Sequence, residues 1–256
     1  MSGKAKPRAK PKGGGKRKRK TTTMVRVPRG KIGFPQSMRT TLRMVHTTVF
    51  EPSGTTALFE PIQANGLFQP ISGSARQPRG FDQFMAIYGS YTVLGCKAHV
   101  RFMYEGYDGP STSTAGDEML KTVLVASGQD NALACLPVAC GVRKGTSLLG
   151  TVSAEDVIER ERSRTLFITP QEGSRTVSLS AGTGEFYKNY TTVSSEGYSG
   201  NASGNPTVPV YIEPWCARPV DYNDSETKVV ALIELEFDSV FTNPLPLLAS
   251  GASGGM

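Results

Sequence analysis

Ten of the first twenty residues are lysine or arginine (Lys4, Lys6, Arg8, Lys10, Lys12, Lys16, Arg17, Lys18, Arg19 and Lys20), and none is acidic. Arg26, Arg29 and Lys31 continue the series, and the first acid in the chain is Glu51. The chemistry open to such a segment is electrostatic. Cations at this density neutralise phosphates and release condensed counterions, so affinity falls by roughly 0.7 to 0.9 log units per phosphate contact for each decade of salt. Binding of this kind reads no base sequence. The block Lys16 to Lys20 also has the form of a nuclear-import signal, which one segment can use at a different time from nucleic-acid binding. A solubilising tail and attachment to an anionic surface are the other uses of such a segment, but ten bases without an acid are far from a mixed solvated surface.

Elsewhere the residue types offer little chemistry. The chain has 2 histidines, His46 and His99. Neither adjoins a serine or cysteine nucleophile motif, and there is no G-x-S-x-G elbow, phosphate-binding glycine loop or H-E-x-x-H helix. The 4 cysteines, Cys96, Cys135, Cys140 and Cys216, lack the two short-spaced pairs of a zinc site and read as buried free thiols. Asp221, Asp224 and Glu226 form a weak candidate for a calcium site at a subunit contact, against the plainer reading of a solvated loop. No enzymatic activity and no cofactor is expected.

The elements that position these groups follow from composition and period. Fifteen of the 29 basic residues lie within residues 1–43, leaving 14 basic and 22 acidic side chains in residues 44–256, a balance of 14 − 22 = −8 against the overall +7. The chain is therefore an acidic body with a cationic arm. The arm contains Pro7, Pro11, Pro28 and a run of three glycines, and it has too little apolar surface to offset the entropy of ordering. Residues 1–38 are expected to be a disordered nucleic-acid-binding arm, 39–246 a folded domain, and 247–256 a flexible tail. No stretch approaches the roughly 18 apolar residues of a membrane span, and no membrane partner is expected.

The body reads as strands. Thr40–Phe50 is rich in Thr, Val and Phe. In Thr92–Tyr104, the residues Leu94, Cys96, Ala98, Val100, Phe102 and Tyr104 alternate with a wetter set that includes Lys97, His99 and Arg101. Further strands are expected at Met119–Ala126, Thr165–Thr169, Arg175–Ser180, Thr207–Glu213 and Glu226–Phe241, with polar loops at 107–117, 182–205 and 213–226. Helical signals are short: Ser153 caps a segment reaching Arg162, and Gly80 precedes another ending near Tyr88. Many strands joined by Gly, Ser and Pro predict an all-β antiparallel sandwich, and the length favours an eight-stranded jelly roll over an immunoglobulin-like sandwich.

The stretch Arg76-Gln-Pro-Arg-Gly-Phe-Asp-Gln-Phe84, running into Tyr88-Gly-Ser-Tyr-Thr-Val-Leu-Gly-Cys-Lys-Ala-His-Val-Arg-Phe102, resembles coat proteins of small icosahedral viruses. Val229–Phe237 and Phe241–Pro246 resemble the final strand and tail of such proteins. The resemblance is greatest to circular, Rep-encoding single-stranded DNA viruses, the circovirus-like group. Similar stretches occur in coat proteins of small RNA viruses of the tombus-like and noda-like kinds. The resemblance implies a single jelly roll assembled as a homo-oligomer into a closed icosahedral T=1 shell of roughly 60 copies, with arms pointing inward onto a single-stranded genome, DNA ahead of RNA. It further implies a place in the virion, passage through the host nucleus, and a host receptor and nuclear import factors as partners. For Trp215 and the neighbouring aromatics, the core and a subunit contact are both open readings. For Arg76 and Arg79 the alternatives are nucleic acid and a plain salt bridge. A coat protein of an RNA virus and a non-viral basic-tailed nucleic-acid-binding protein remain the competing functions.

Overall fold

Alternation produces the two longest strands, β4 (Tyr88–Asp108) and β9 (Glu226–Pro244). The computed structural model describes residues 34–52, 55–108, 137–169, 171–188, 196–218 and 226–246. In β9, Val229, Ala231, Ile233, Leu235 and Phe237 are all buried, while Glu234 faces water. Burying each of the larger of these side chains is worth about 1.5–3 kcal/mol. The expected phase fails near the start of β4, and a second irregularity lies between Tyr104 and Gly106. A bulge between Val93 and Gly95 shifts the register by one residue, so Tyr91 and Val93 face the core before it and Cys96, Ala98, Val100 and Phe102 after it. Leu94, expected inside, is only half-buried as a result.

The remaining strands are β1 (Ser37–Phe50), β2 (Leu58–Phe59), β3 (Ile62–Gln63), β5 (Val138–Gly145), β6 (Ser163–Ile168), β7 (Ser174–Gly182) and β8 (Tyr211–Ala217). They form two antiparallel sheets, ordered β1-β9-β4-β7 and β2-β8-β5-β6, with β3 also paired to β8. The pairings β1 with β9, β2 with β8, β4 with β7 and β5 with β6 are nested one inside another. A chain whose outermost strands pair together, and whose inner pairs alternate between sheets, is a long hairpin rolled up on itself. That connectivity makes the sandwich a jelly roll.

The strand expected at Thr207–Glu213 lies at Tyr211–Ala217 instead, so residues 213–217 of the loop expected at 213–226 are strand, and 219–225 of it lie outside the described residues. Pro214 concealed this strand, because proline cannot donate to a ladder. It sits opposite Val142 on one side, and on the other its carbonyl accepts from Glu60 N (2.9 Å) at the break between β2 and β3. Strand β5, absent from the sequence reading, is buried on both faces and so has no alternation to detect. Its outer face is covered by residues 146–160, where Ala154 and Val157 of α2 (Ala154–Glu159) pack with Ala139, Trp215 and Ala217. Trp215 is thus core. Gly141 is required beneath it, since a Cβ there would lie 2.7 Å from the indole Nε1 and closer still to the Arg164 carbonyl.

Ser153 caps α2 as expected, accepting from Asp156 N at 3.2 Å. The Gly80 signal opens α1 (Phe81–Met85), where the glycine takes φ 92°, a left-handed conformation costly for other residues. Phe81 and Met85 face the core, and Phe84 stacks on Phe241 at 4.7 Å. The stretch from Gly182 starts with a short α3 (Thr183–Phe186) and is later tied to β4 by paired Tyr91 and Gly200 backbone bonds. Cys96, Cys140 and Cys216 are buried free thiols, the last two with sulfurs 3.2 Å apart on facing strands. The expected strand at Met119–Ala126 and Cys135 fall outside the described residues.

Candidate functional site

The outer face of the sheet β1-β9-β4-β7 carries charges in register across its strands. Its cross-strand rows run Thr41/Asp238/Gly95/Gly182, then Arg43/Glu236/Lys97/Ser180, Val45/Glu234/His99/Ser178, Thr47/Leu232/Arg101/Thr176 and Val49/Val230/Met103/Ser174. The face is therefore divided. One end is charged, with a trough of about 520 Å³ where Gly95 and Gly182 withdraw side chains from beneath Arg39, Lys97 and Asp238. The other end is apolar, and Val45 and Val49 are 46% and 50% exposed there.

Acids on β9 alternate with core residues, and bases on both neighbours flank them. Arg39 grips Asp238 with two nitrogens, one contact being Nε to Oδ1 at 2.8 Å, and Arg43 meets Glu236 at 2.7 Å. The Arg39 hydrogen bonds hold the Asp238 carboxyl below its ordinary pKa of 3.8. This pair therefore contributes to folding above pH 3.8, and the contribution is lost as pH falls through the lowered folded value. Arg39→Ala should return Asp238 towards 3.8 in a carboxyl-carbon NMR titration; an unmoved titration would rule Arg39 out as the cause. Lys97 and Arg101 are exposed and make no ion pair among the described residues. The His99 ring lies 2.7 Å from the Ser178 hydroxyl.

The start of the described chain is fixed beside this sheet. The Tyr88 hydroxyl donates to the Pro35 carbonyl (3.1 Å), two residues before β1 begins. Arg79 N donates to the Arg43 carbonyl (3.1 Å), which places the turn before α1 against β1. The Arg76 and Arg79 side chains are exposed, and neither makes a salt bridge among the described residues. His46 points inwards and is half-buried, whereas His99 points out.

The thirteen basic positions from Lys4 to Lys31 lie outside the described residues, as do Asp221 and Asp224; of Glu226 only the backbone is described, as the first residue of β9. Among the described residues no three His, Cys, Asp or Glu side chains gather as metal ligands. The sequence marked the outward set of β4 as wet but did not join Lys97 and Arg101 to a site. The alternation itself was the available signal. The Arg39–Asp238 pair had no local signal, because its partners are 199 residues apart.

No protein-family model and no curated protein sequence matches the chain. Among solved structures, it is similar to the BFDV capsid protein in its 60-mer form, at 10% identity and TM-score 0.42, covering 85% of this chain and 100% of that one. Turnip yellow mosaic virus is similar at 10% identity and TM-score 0.36, covering 91% and 94%. A semi-empty particle of the giant freshwater prawn Macrobrachium rosenbergii nodavirus is similar at 13% identity and TM-score 0.35, covering 83% and 97%. At these values the jelly-roll assignment rests on the nested strand pairings themselves.

Proposed function

We propose that this chain is the capsid protein of a small virus, assembling into a closed icosahedral shell that packages a single-stranded genome through its basic arm. The observation that carries this reading is the segregation of charge: ten bases without an acid in residues 1–20, against −8 in residues 44–256, on a jelly-roll body. An acidic body repels a polyanion, and a cationic arm reverses the sign where the phosphates lie. In a T=1 shell of roughly 60 copies, ten to fifteen charges each supply about 600 to 900 positive charges towards neutralising a genome. Single-stranded DNA is placed ahead of RNA, with a circovirus-like affinity, on the resemblance of Arg76–Phe102 and Val229–Pro246. The arm is then the part of residues 1–38 that precedes β1, whose Ser37 and Met38 pair with β9, while 39–246 act as the shell domain and 247–256 as a tail. Lys16–Lys20 would address the protein to the host nucleus before it enters the virion.

Expression of the full chain, negative-stain electron microscopy and nuclease challenge test this reading. Uniform closed particles holding nuclease-protected nucleic acid are expected, and extraction with DNase or RNase digestion identifies the polymer. A monodisperse monomer that merely shifts added nucleic acid in a salt-dependent way would sink the capsid reading in favour of a basic-tailed binding protein.

A further inference from the structure

The two outer faces of the sandwich carry complementary patches. On one, the exposed Val45 and Val49 adjoin Leu232; beside them on β4 stand Lys97 and Arg101, which make no ion pair among the described residues and outnumber the one exposed acid there, Glu234. The other face is formed by α2 and the chain around it, which lie across the second sheet. Leu148 and Ile158 are 49% and 40% exposed there, among the exposed acids Glu155, Asp156, Glu159 and Glu161. Counting residues 154–161, four acids against Arg160 give 1 − 4 = −3. The next two arginines are engaged elsewhere: the Arg162 guanidinium stacks on the Phe186 ring at 4.8 Å, and Arg164 donates to the Ser178 carbonyl at 2.8 Å.

We propose that the α2 knob of one copy of this chain docks on the apolar end of the β1-β9-β4-β7 face of the next, its acids meeting Lys97 and Arg101. The inference rests on the capsid reading and specifies one contact of the shell. Charge complementarity selects the occupant. The chain's own arm is cationic and is repelled by Lys97 and Arg101, and two identical faces brought together would oppose like charges. The acidic, apolar-tipped knob fits both properties of the patch. Because the complementary patches lie on opposite sides of the sandwich, the contact is head-to-tail, and it closes into a ring when its rotation divides a full circle. Apolar residues form the centre of the contact and charges its rim, where they set orientation and exclude wrong pairings.

A charge swap tests it. Lys97→Glu with Arg101→Glu, and separately Glu155→Lys with Glu159→Lys, should each raise the concentration needed for assembly by about tenfold or more. Assembly is read by analytical ultracentrifugation, and circular dichroism confirms that these exposed positions leave the fold intact. Combining all four substitutions restores opposite charges and should recover assembly. Double variants that both assemble as readily as the wild type, or a fourfold variant no better than the doubles, would overturn the contact alone. So would a Lys97→Glu, Arg101→Glu variant that assembles normally but loses nucleic acid, since the face would then belong to the genome. A wild-type chain that stays monomeric at every concentration would overturn the capsid reading, and this contact with it.

Discussion

Shells lacking residues 1–20 should form but contain little nucleic acid, at least about tenfold less than full-length shells purified alongside. The deletion removes ten positive charges and takes the net charge from +7 to 7 − 10 = −3, so the sign of the long-range interaction with a polyanion reverses. For single strands, ten phosphate contacts correspond to a salt slope of about −7 in log–log terms. Loss of these contacts leaves no comparable run of cations among the described residues of the folded body, where Arg39 and Arg43 are already matched to Asp238 and Glu236. Replacing Lys16–Lys20 by glutamine should give an intermediate loss, which separates charge from chain length. Full nucleic-acid content in the deleted shells would assign packaging to folded-domain cations such as Lys97 and Arg101 and remove the arm from the mechanism.

The largest effect on stability is expected from Arg143→Ala. Arg143 on β5 faces Glu213 on β8 in direct register, and the pair is buried beneath residues 146–160. Arg143 also donates to the Ser147 carbonyl from both terminal nitrogens (3.4 and 3.3 Å), and Glu213 accepts from Leu149 N (3.2 Å). The pair therefore fastens the covering chain to the sheet as well as satisfying itself. Removing one partner strands a charge in a site that water does not reach, at a cost of about 3–5 kcal/mol. For a domain of this size that is a fall in melting temperature of roughly 10 °C. Burial already pushes the Glu213 carboxyl up, opposed by Arg143. A carboxyl raised in the folded state favours folding at low pH and loses that contribution as pH rises through its folded value. Arg143→Ala should accordingly be less damaging near pH 4.5 than at neutral pH, because Glu213 can then be buried as the neutral acid. Arg143→Met with Glu213→Leu should recover most of the loss. Equal destabilisation at both pH values would show that lost packing, not a stranded charge, is the cause.

What the sequence made visible was whatever repeats locally. The period of two in Val229–Phe237 and Cys96–Phe102 placed both central strands of one sheet, and Ser153 and Gly80 placed two helix starts within a residue. What it hid depended on distant neighbours. Strand β5 is uniformly buried only because residues 146–160 return to cover it, and Pro214 is tolerated only because β2 and β3 part opposite it. The candidate site divides in the same way. Lys97 and Arg101 could be read as outward-facing, but which β9 acids are already taken is set by β1, where Arg39 and Arg43 engage Asp238 and Glu236. That outcome follows from registering Arg39 near Asp238 across 199 residues, and no local pattern encodes it.

Strand β9 also sets a timetable. It lies between β1 and β4, yet it is the last of the nine described strands to leave the ribosome. Until residues 226–244 have been synthesised, β1 and β4 have no common neighbour, and the four-stranded sheet cannot close however long its other members have waited. Pairing across such separations is slow, because loop closure must precede any gain from contact. The cationic segment, in contrast, needs no fold to carry its charge. A nascent chain can thus engage a polyanion from early in its translation, whereas the face that would receive a second subunit comes into being only after β9 has emerged.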